Sequence, residues 1–216
     1  MRRIDQCDEK RFLRDVSEHK MIVKMDNGTY RHLVFKKPES SEYRFELITW
    51  PGYLTYVGDM GDFTFSRLDD MFQFFRTDKQ QPVSGQTLFI NTDYWAEKCV
   101  SVDKADGIKE YSPSLFREVI QEWIDQIIHD HSDNPHIEQY SAWLKQEVNE
   151  ELLCYADDGE AEVRRLVDNF EIELEGEKLT ISDFWETTLT EKTFRFIWCC
   201  YAIAWGIAQY DKAKNA

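Results

Sequence analysis

Between residues 21 and 65, short runs of strand-forming residues are separated by tight-turn signals, which restricts this stretch to an antiparallel meander. Met21-Ile22-Val23 leads to Asp26-Asn27-Gly28, a turn in which Asn and Gly accept positive φ. Tyr30 to Phe35 makes the return strand, and Lys37 to Ser41 the next turn. Tyr43, Phe45 and Leu47 then alternate with Arg44 and Glu46 at period two. Pro51-Gly52 turns into Tyr53 to Val57, and Gly58-Asp59-Met60-Gly61-Asp62 turns into Phe63-Thr64-Phe65. Four or five strands follow from this spacing. A short helix is expected at Asp8 to Glu18, with Phe12, Leu13 and Val16 on one side. A second is expected from Ser66, where Asp69 completes a pattern like a capping box and Leu68, Met71, Phe72 and Phe75 would cover one sheet face. Residues 77–85 read as a polar loop, Leu88-Phe89-Ile90 as a strand, and residues 93–102 as either helix or strand.

From Ser112 the period changes. Ser112-Pro113 puts a cap residue before proline at the first helical position. The pairs Leu115/Phe116, Val119/Ile120, Trp123/Ile124 and Ile127/Ile128 then recur every four residues as a wide apolar stripe. Asn134-Pro135 is read as starting a second helix by the same device, with Ile137, Tyr140, Leu144 and Val148 inward. A third helix is expected over Glu160 to Asn169, and a small hairpin from Ile172 through Glu175-Gly176 to Ile181. The last helix, about Glu191 to Tyr210, is apolar nearly all round and is expected at the centre of the C-terminal core. The fold class is therefore α+β: an N-terminal antiparallel β meander with a covering helix, then a mostly helical C-terminal half with a small β hairpin. The expected halves are 1–111 and 112–216, with one continuous domain as the alternative because no flexible linker divides them.

Hydrophobic residues make up 42% of the 216, enough for a sizeable core. The longest apolar run, Phe196 to Ala208, is 13 residues, too short for a bilayer core of about 30 Å. Met1-Arg2-Arg3-Ile4-Asp5 leads into polar sequence without an apolar stretch of signal-peptide type. Cys7, Cys99, Cys154, Cys199 and Cys200 are odd in number, scattered and free of any Cys-x-x-Cys pair, which argues against a disulfide framework or a zinc ribbon. A reducing, cytoplasmic location is the expectation.

Charge is partitioned along the chain. Residues 1–117 carry 19 acidic and 18 basic side chains, residues 118–191 carry 21 and four, and the last 25 residues carry one and four. The middle stretch is thus at −17 within a total of −15. A field of that sign repels phosphates and anionic lipid, so direct nucleic-acid binding and membrane association are disfavoured.

Few residues carry a catalytic pattern. His129, His131 and His136, with Asp133 among them, are of metal-ligand type, but their spacing matches no standard site and suits a polar inter-helix loop equally. Asp59 and Asp62 resemble a fragment of a metallophosphatase loop, without the companion Asp-x-His and Asn-His elements, and also suit a glycine-assisted turn. No Gly-x-Ser-x-Gly elbow, Walker loop or dinucleotide fingerprint occurs. Cys7 lies near a basic stretch and could be a reactive thiol, though nothing fixes a base beside it. No cofactor is implied. The acidic stretch remains, either as a solvated face or as a negative surface that docks on a positive one. The candidate contact residues are Glu147, Glu150, Glu151, Asp157, Asp158, Glu160 and Glu162.

Residues 48–76, reading Ile48-Thr49-Trp50-Pro51-Gly52-Tyr53-Leu54, Gly58-Asp59-Met60-Gly61-Asp62-Phe63-Thr64-Phe65 and Arg67-Leu68-Asp69-Asp70-Met71-Phe72-Gln73-Phe74-Phe75-Arg76, resemble a segment of uncharacterised proteins encoded by proteobacterial phages and prophages. The resemblance covers 29 of 216 residues, extends loosely to the aromatic helix Trp198 to Tyr210, and carries no assigned catalytic residue. It implies a protein acting in the cytoplasm of an infected bacterium. The resulting expectation is an acidic inhibitor, such as a DNA mimic, of a host defence or nucleic-acid-handling complex, of which a CRISPR effector is an example. Two alternatives stand beside it: a metal-dependent enzyme acting on a nucleotide or nucleic acid, and an accessory subunit of phage replication or assembly.

Overall fold

Five of the strands are laid down in chain order, each hydrogen-bonded to the next: β1 (Lys20–Asn27), β2 (Tyr30–Lys36), β3 (Phe45–Trp50), β4 (Tyr53–Gly58) and β5 (Gly61–Ser66). A sixth, β6 (Cys99–Ser101), pairs antiparallel with β5 and completes the sheet. The computed structural model describes residues 7–77, 87–105, 107–174 and 176–215. The chain divides into two compact units, one of residues up to Lys109 together with those from Lys192, the other Glu110–Glu191.

In the first unit, period-two alternation sends Leu33, Phe35, Phe45, Leu47, Leu54, Tyr56, Phe63 and Phe65 to one face, where all are buried. The opposite face carries His32, Glu46, Thr55 and Thr64 and ends in a row of Tyr30, Trp50 and Tyr53, with the last two rings stacked 5.2 Å apart. The buried face is covered by α1 (Glu9–Asp15), α2 (Met71–Thr77), α3 (Thr92–Glu97) and the 21-residue α7 (Phe194–Lys214). Thr193 caps α7 by accepting from the Phe196 amide at 3.2 Å. Trp198 sits 5.0 Å from Phe12 and 5.7 Å from Phe45, ring centre to ring centre. Each such side chain contributes about 1.5–3 kcal/mol by leaving water.

The last helix therefore belongs to the sheet and not to the C-terminal half, which corrects the expected division at 111/112 in its second part. The physical reason lies in what the helix needs. With buried residues on most of its circumference, from Phe196 to Tyr210, it requires a broad apolar surface, and eight inward side chains of the sheet supply one.

The second unit is built from α4 (Pro113–Asp130), α5 (Ile137–Glu151), a 3-10 turn at Leu153–Tyr155, α6 (Glu160–Asn169) and the hairpin β8 (Ile172–Leu174) with β9 (Glu177–Leu179). Phe116, Ile120, Ile124, Leu144, Val148, Val163 and Val167 form its core with Phe184 and Leu189. β7 (Lys109–Tyr111) and β10 (Thr190–Lys192) pair in a two-stranded sheet. The Ser112 hydroxyl accepts from the Leu115 amide at 3.3 Å, as its pairing with Pro113 predicts.

Several expectations move. Asn134 does not cap α5; its side chain accepts from the His136 amide at 2.8 Å within the preceding turn, and the helix begins at Ile137. Ser66 ends β5, and α2 begins only at Met71, where the Asp70 carboxylate accepts from the Phe72 amide; Leu68 is consequently exposed. Leu88 to Ile90 is not a strand but an irregular, half-buried segment, whose start is held by the Glu9 carboxylate accepting from the Thr87 and Leu88 amides at 2.8 and 3.0 Å. Residues 93–102 contain both states, most of α3 followed by β6. The expected polar loop at 77–85 lies, beyond Thr77, outside the described residues, as does Glu175 of the hairpin turn.

Candidate interaction surface

The second unit holds 22 acidic and five basic side chains, a net of −17, whereas the first holds 19 and 21. Its carboxylates are densest around the 3-10 turn. Glu147, Glu150 and Glu151 occupy the end of α5, and that helix has no basic residue in its last turn. Carboxylates there oppose the helix dipole and cost about 0.3–1 kcal/mol each. Asp157 and Asp158 follow the turn, and Glu160 and Glu162 open α6, where the same dipole favours them.

Local pairing splits the seven candidate contacts into two groups. Asp157 meets Arg117 at 2.5 Å, Glu162 meets Arg165 at 2.6 Å, and Glu160 meets Arg164 at 2.8 Å. The hydrogen bonds from Arg165 lower the pKa of Glu162. Glu150 accepts from the Gln146 amide at 3.0 Å. Among the described residues, Glu147, Glu150, Glu151 and Asp158 have no cationic partner, so they present uncompensated charge. Tyr155 is exposed in the same turn.

Arg164 does more than neutralise Glu160. Its guanidinium donates to the Phe184 carbonyl at 3.1 Å and the Thr187 carbonyl at 2.8 Å, and lies 5.7 Å from the Phe184 ring centre. The segment so held is a second 3-10 turn, Phe184–Glu186, that displays Trp185. Sequence reasoning passed over both residues; the available signal was an adjacent aromatic pair in a polar stretch, since neighbours in a turn cannot both face one core.

A groove of about 430 Å³ opens between α5 and β8, lined by His136, Gln139, Tyr140, Trp143, Glu173 and Leu174. In the first unit a polar pocket of about 300 Å³ is lined by Arg11, Arg14, Asp15, His19, Lys37 and Tyr43, among others. There His19 Nε2 donates to the Tyr43 carbonyl at 3.0 Å, and burial lowers the imidazole pKa. The cations of that pocket are largely matched from within, Arg11 by Asp15 at 3.3 Å and Lys37 by Glu18 at 2.6 Å.

The metal-type residues do not assemble. Among the described residues no three His, Cys, Asp or Glu side chains come together as a metal site. His129 is exposed at the end of α4, His131 donates through Nδ1 to the Ile127 carbonyl at 2.8 Å, and His136 precedes α5 with its ring 6.5 Å from Tyr140. Asp59 and Asp62 are both exposed, at the turn and on the outer face of the β4–β5 hairpin. Cys7 is buried, and burial together with Asp15 and Asp8 pushes its thiol up to about 12, so it is no thiolate at neutral pH. No described helix is long and apolar enough to cross a membrane. Compared with protein-family models, curated proteins and solved structures, the chain matches none.

Proposed function

We propose that this protein acts by docking the surface around the end of α5 and the start of α6 on a basic surface of a host complex that handles nucleic acid. The observation that carries the reading is uncompensated charge: a unit at −17 whose Glu147, Glu150, Glu151 and Asp158 have no cation beside them among the described residues. Such a surface steers association with a positive partner and competes with phosphates for the same Lys and Arg side chains. Taken with the resemblance of residues 48–76 to phage-encoded proteins as a premise, the proposal becomes an inhibitor of host defence or of host nucleic-acid machinery acting in the bacterial cytoplasm.

The test is affinity purification of the tagged chain from a bacterial host at low and high salt, followed by mass spectrometry, beside a variant with Glu147, Glu150, Glu151 and Asp158 all changed to Lys. A nucleic-acid-binding complex that is retained at low salt, released by salt and lost from the folded variant supports the proposal. Retention indifferent to salt and to charge reversal overturns it, as does a chain that emerges alone.

A further inference from the structure

Asp183, Phe184, Trp185 and Glu186 make a short turn in which two neighbouring aromatics take opposite fates. Phe184 is buried, 6.1 Å from the Phe116 ring, while Trp185 is 73% exposed, the most exposed of the large apolar side chains described. The turn is held from several sides. Asp183 takes a left-handed φ of 54°, which Asp tolerates better than most residues. The Glu186 and Thr187 amides donate to the Asp183 and Phe184 carbonyls, each at 3.0 Å. From α6, Arg164 binds the Phe184 and Thr187 carbonyls, and Glu160 fixes Arg164 through bonds of 3.0 and 2.8 Å from its Nε and Nη2. One buried ring and one braced guanidinium thus set the backbone that presents an indole to water.

A tryptophan on a rigid backbone in an acidic unit is suited to binding a cation. Its ring face attracts a cation by its quadrupole, and the exposed carboxylates of Asp183 and Glu186 flank it with negative charge. Of the two basic side chains, arginine fits better, because its planar guanidinium stacks on an indole while still bonding a carboxylate. We infer that Trp185 is an anchor of the docking surface and receives an arginine side chain of the partner, with Arg164 and Glu160 as positioning residues. This rests on the acidic-docking reading and adds to it a specific contact.

The full-length chain is titrated at low salt with a nona-arginine peptide, following tryptophan fluorescence and heat. The same titration is run on Trp185→Ala and Trp185→Phe, with circular dichroism to confirm that the fold is retained. Removing an exposed side chain leaves the core intact, so affinity can be read directly. The expected result is binding weakened about fivefold or more by Trp185→Ala and largely kept by Trp185→Phe. Trp185→Ala binding the peptide as tightly as the original chain overturns the anchor and leaves the acidic-docking reading standing. A peptide that binds none of the three proteins overturns both.

Discussion

Arg31 and Asp70 face each other across two parallel hydrogen bonds of 2.8 and 3.0 Å, which tie strand β2 to the start of helix α2. Arg31 is buried, and its guanidinium also lies 4.6 Å from the Phe72 ring centre and 5.7 Å from that of Tyr210. Its charge is tolerated there because Asp70 answers it. Asp70→Ala leaves that charge unpaired in a largely dry site and is expected to destabilise the chain by about 3 kcal/mol. Arg31→Met, which keeps the apolar stem and removes the charge, is expected to cost less. Urea unfolding of the two variants checks the order.

The same carboxylate gives the chain an acid limit. Burial pushes the Asp70 pKa up, but its bonds to Arg31 more than offset this and hold it below the usual carboxylate value. Asp26 is lowered too, chiefly by its hydrogen bond from Lys214. A lowered folded-state pKa contributes stability that is complete above the unfolded value of about 4 and is lost as pH falls through the folded value. Melting temperature should therefore hold near neutrality and fall steeply below about pH 4. Asp70→Asn should flatten that fall, and an unchanged acid profile in this variant would remove Asp70 from the account.

At Gly206, helix α7 lies so close to the sheet that an added Cβ would force a neighbouring side chain to shift. A Cβ there would stand 2.8 Å from Leu47 Cδ1 and 3.2 Å from the Phe35 ring. Both neighbours are fully buried and have little room to yield. Gly206→Val is expected to destabilise by about 1–3 kcal/mol, against the gain in helix propensity that replacing glycine brings. A denaturation midpoint equal to that of the unmodified chain would mean that the helix lifts from the sheet without penalty.

What could be read from residues alone follows from how local each signal is. The strands β1 to β5 and helix α4 were legible because turn residues, a period-two alternation and a serine cap are all written within a few positions. The partner of α7 was not, since a helix that is apolar nearly all round specifies burial without direction, and its partners at Phe35 and Phe45 lie more than 150 residues before Trp205 and Trp198. The acidic surface was legible as charge. Its division into paired and unpaired carboxylates was not, because that depends on where Arg117, Arg164 and Arg165 reach after folding. The Trp185 turn escaped notice for the same reason: its rigidity comes from α6, about 20 residues away.

The five cysteines are expected to differ sharply in reactivity. Cys199 and Cys200 are fully enclosed, and burial raises both thiols well above their usual range. Burial, with Asp15 and Asp8 adding to it, takes Cys7 to about 12, and burial takes Cys99 to about 11. Thiolate is the attacking species, so all four should be nearly inert at neutral pH in the folded chain. Cys154, by contrast, is exposed beside the acidic turn, with its sulfur 3.0 Å from the Glu150 carbonyl oxygen. A disulfide reagent that releases a coloured thiolate should therefore titrate one group quickly in the native protein and the other four only after denaturation. Cys154→Ser should abolish the fast phase. A fast phase that persists in that variant would mean that another of the four thiols reaches solvent, the half-buried Cys99 before the enclosed Cys7, Cys199 and Cys200.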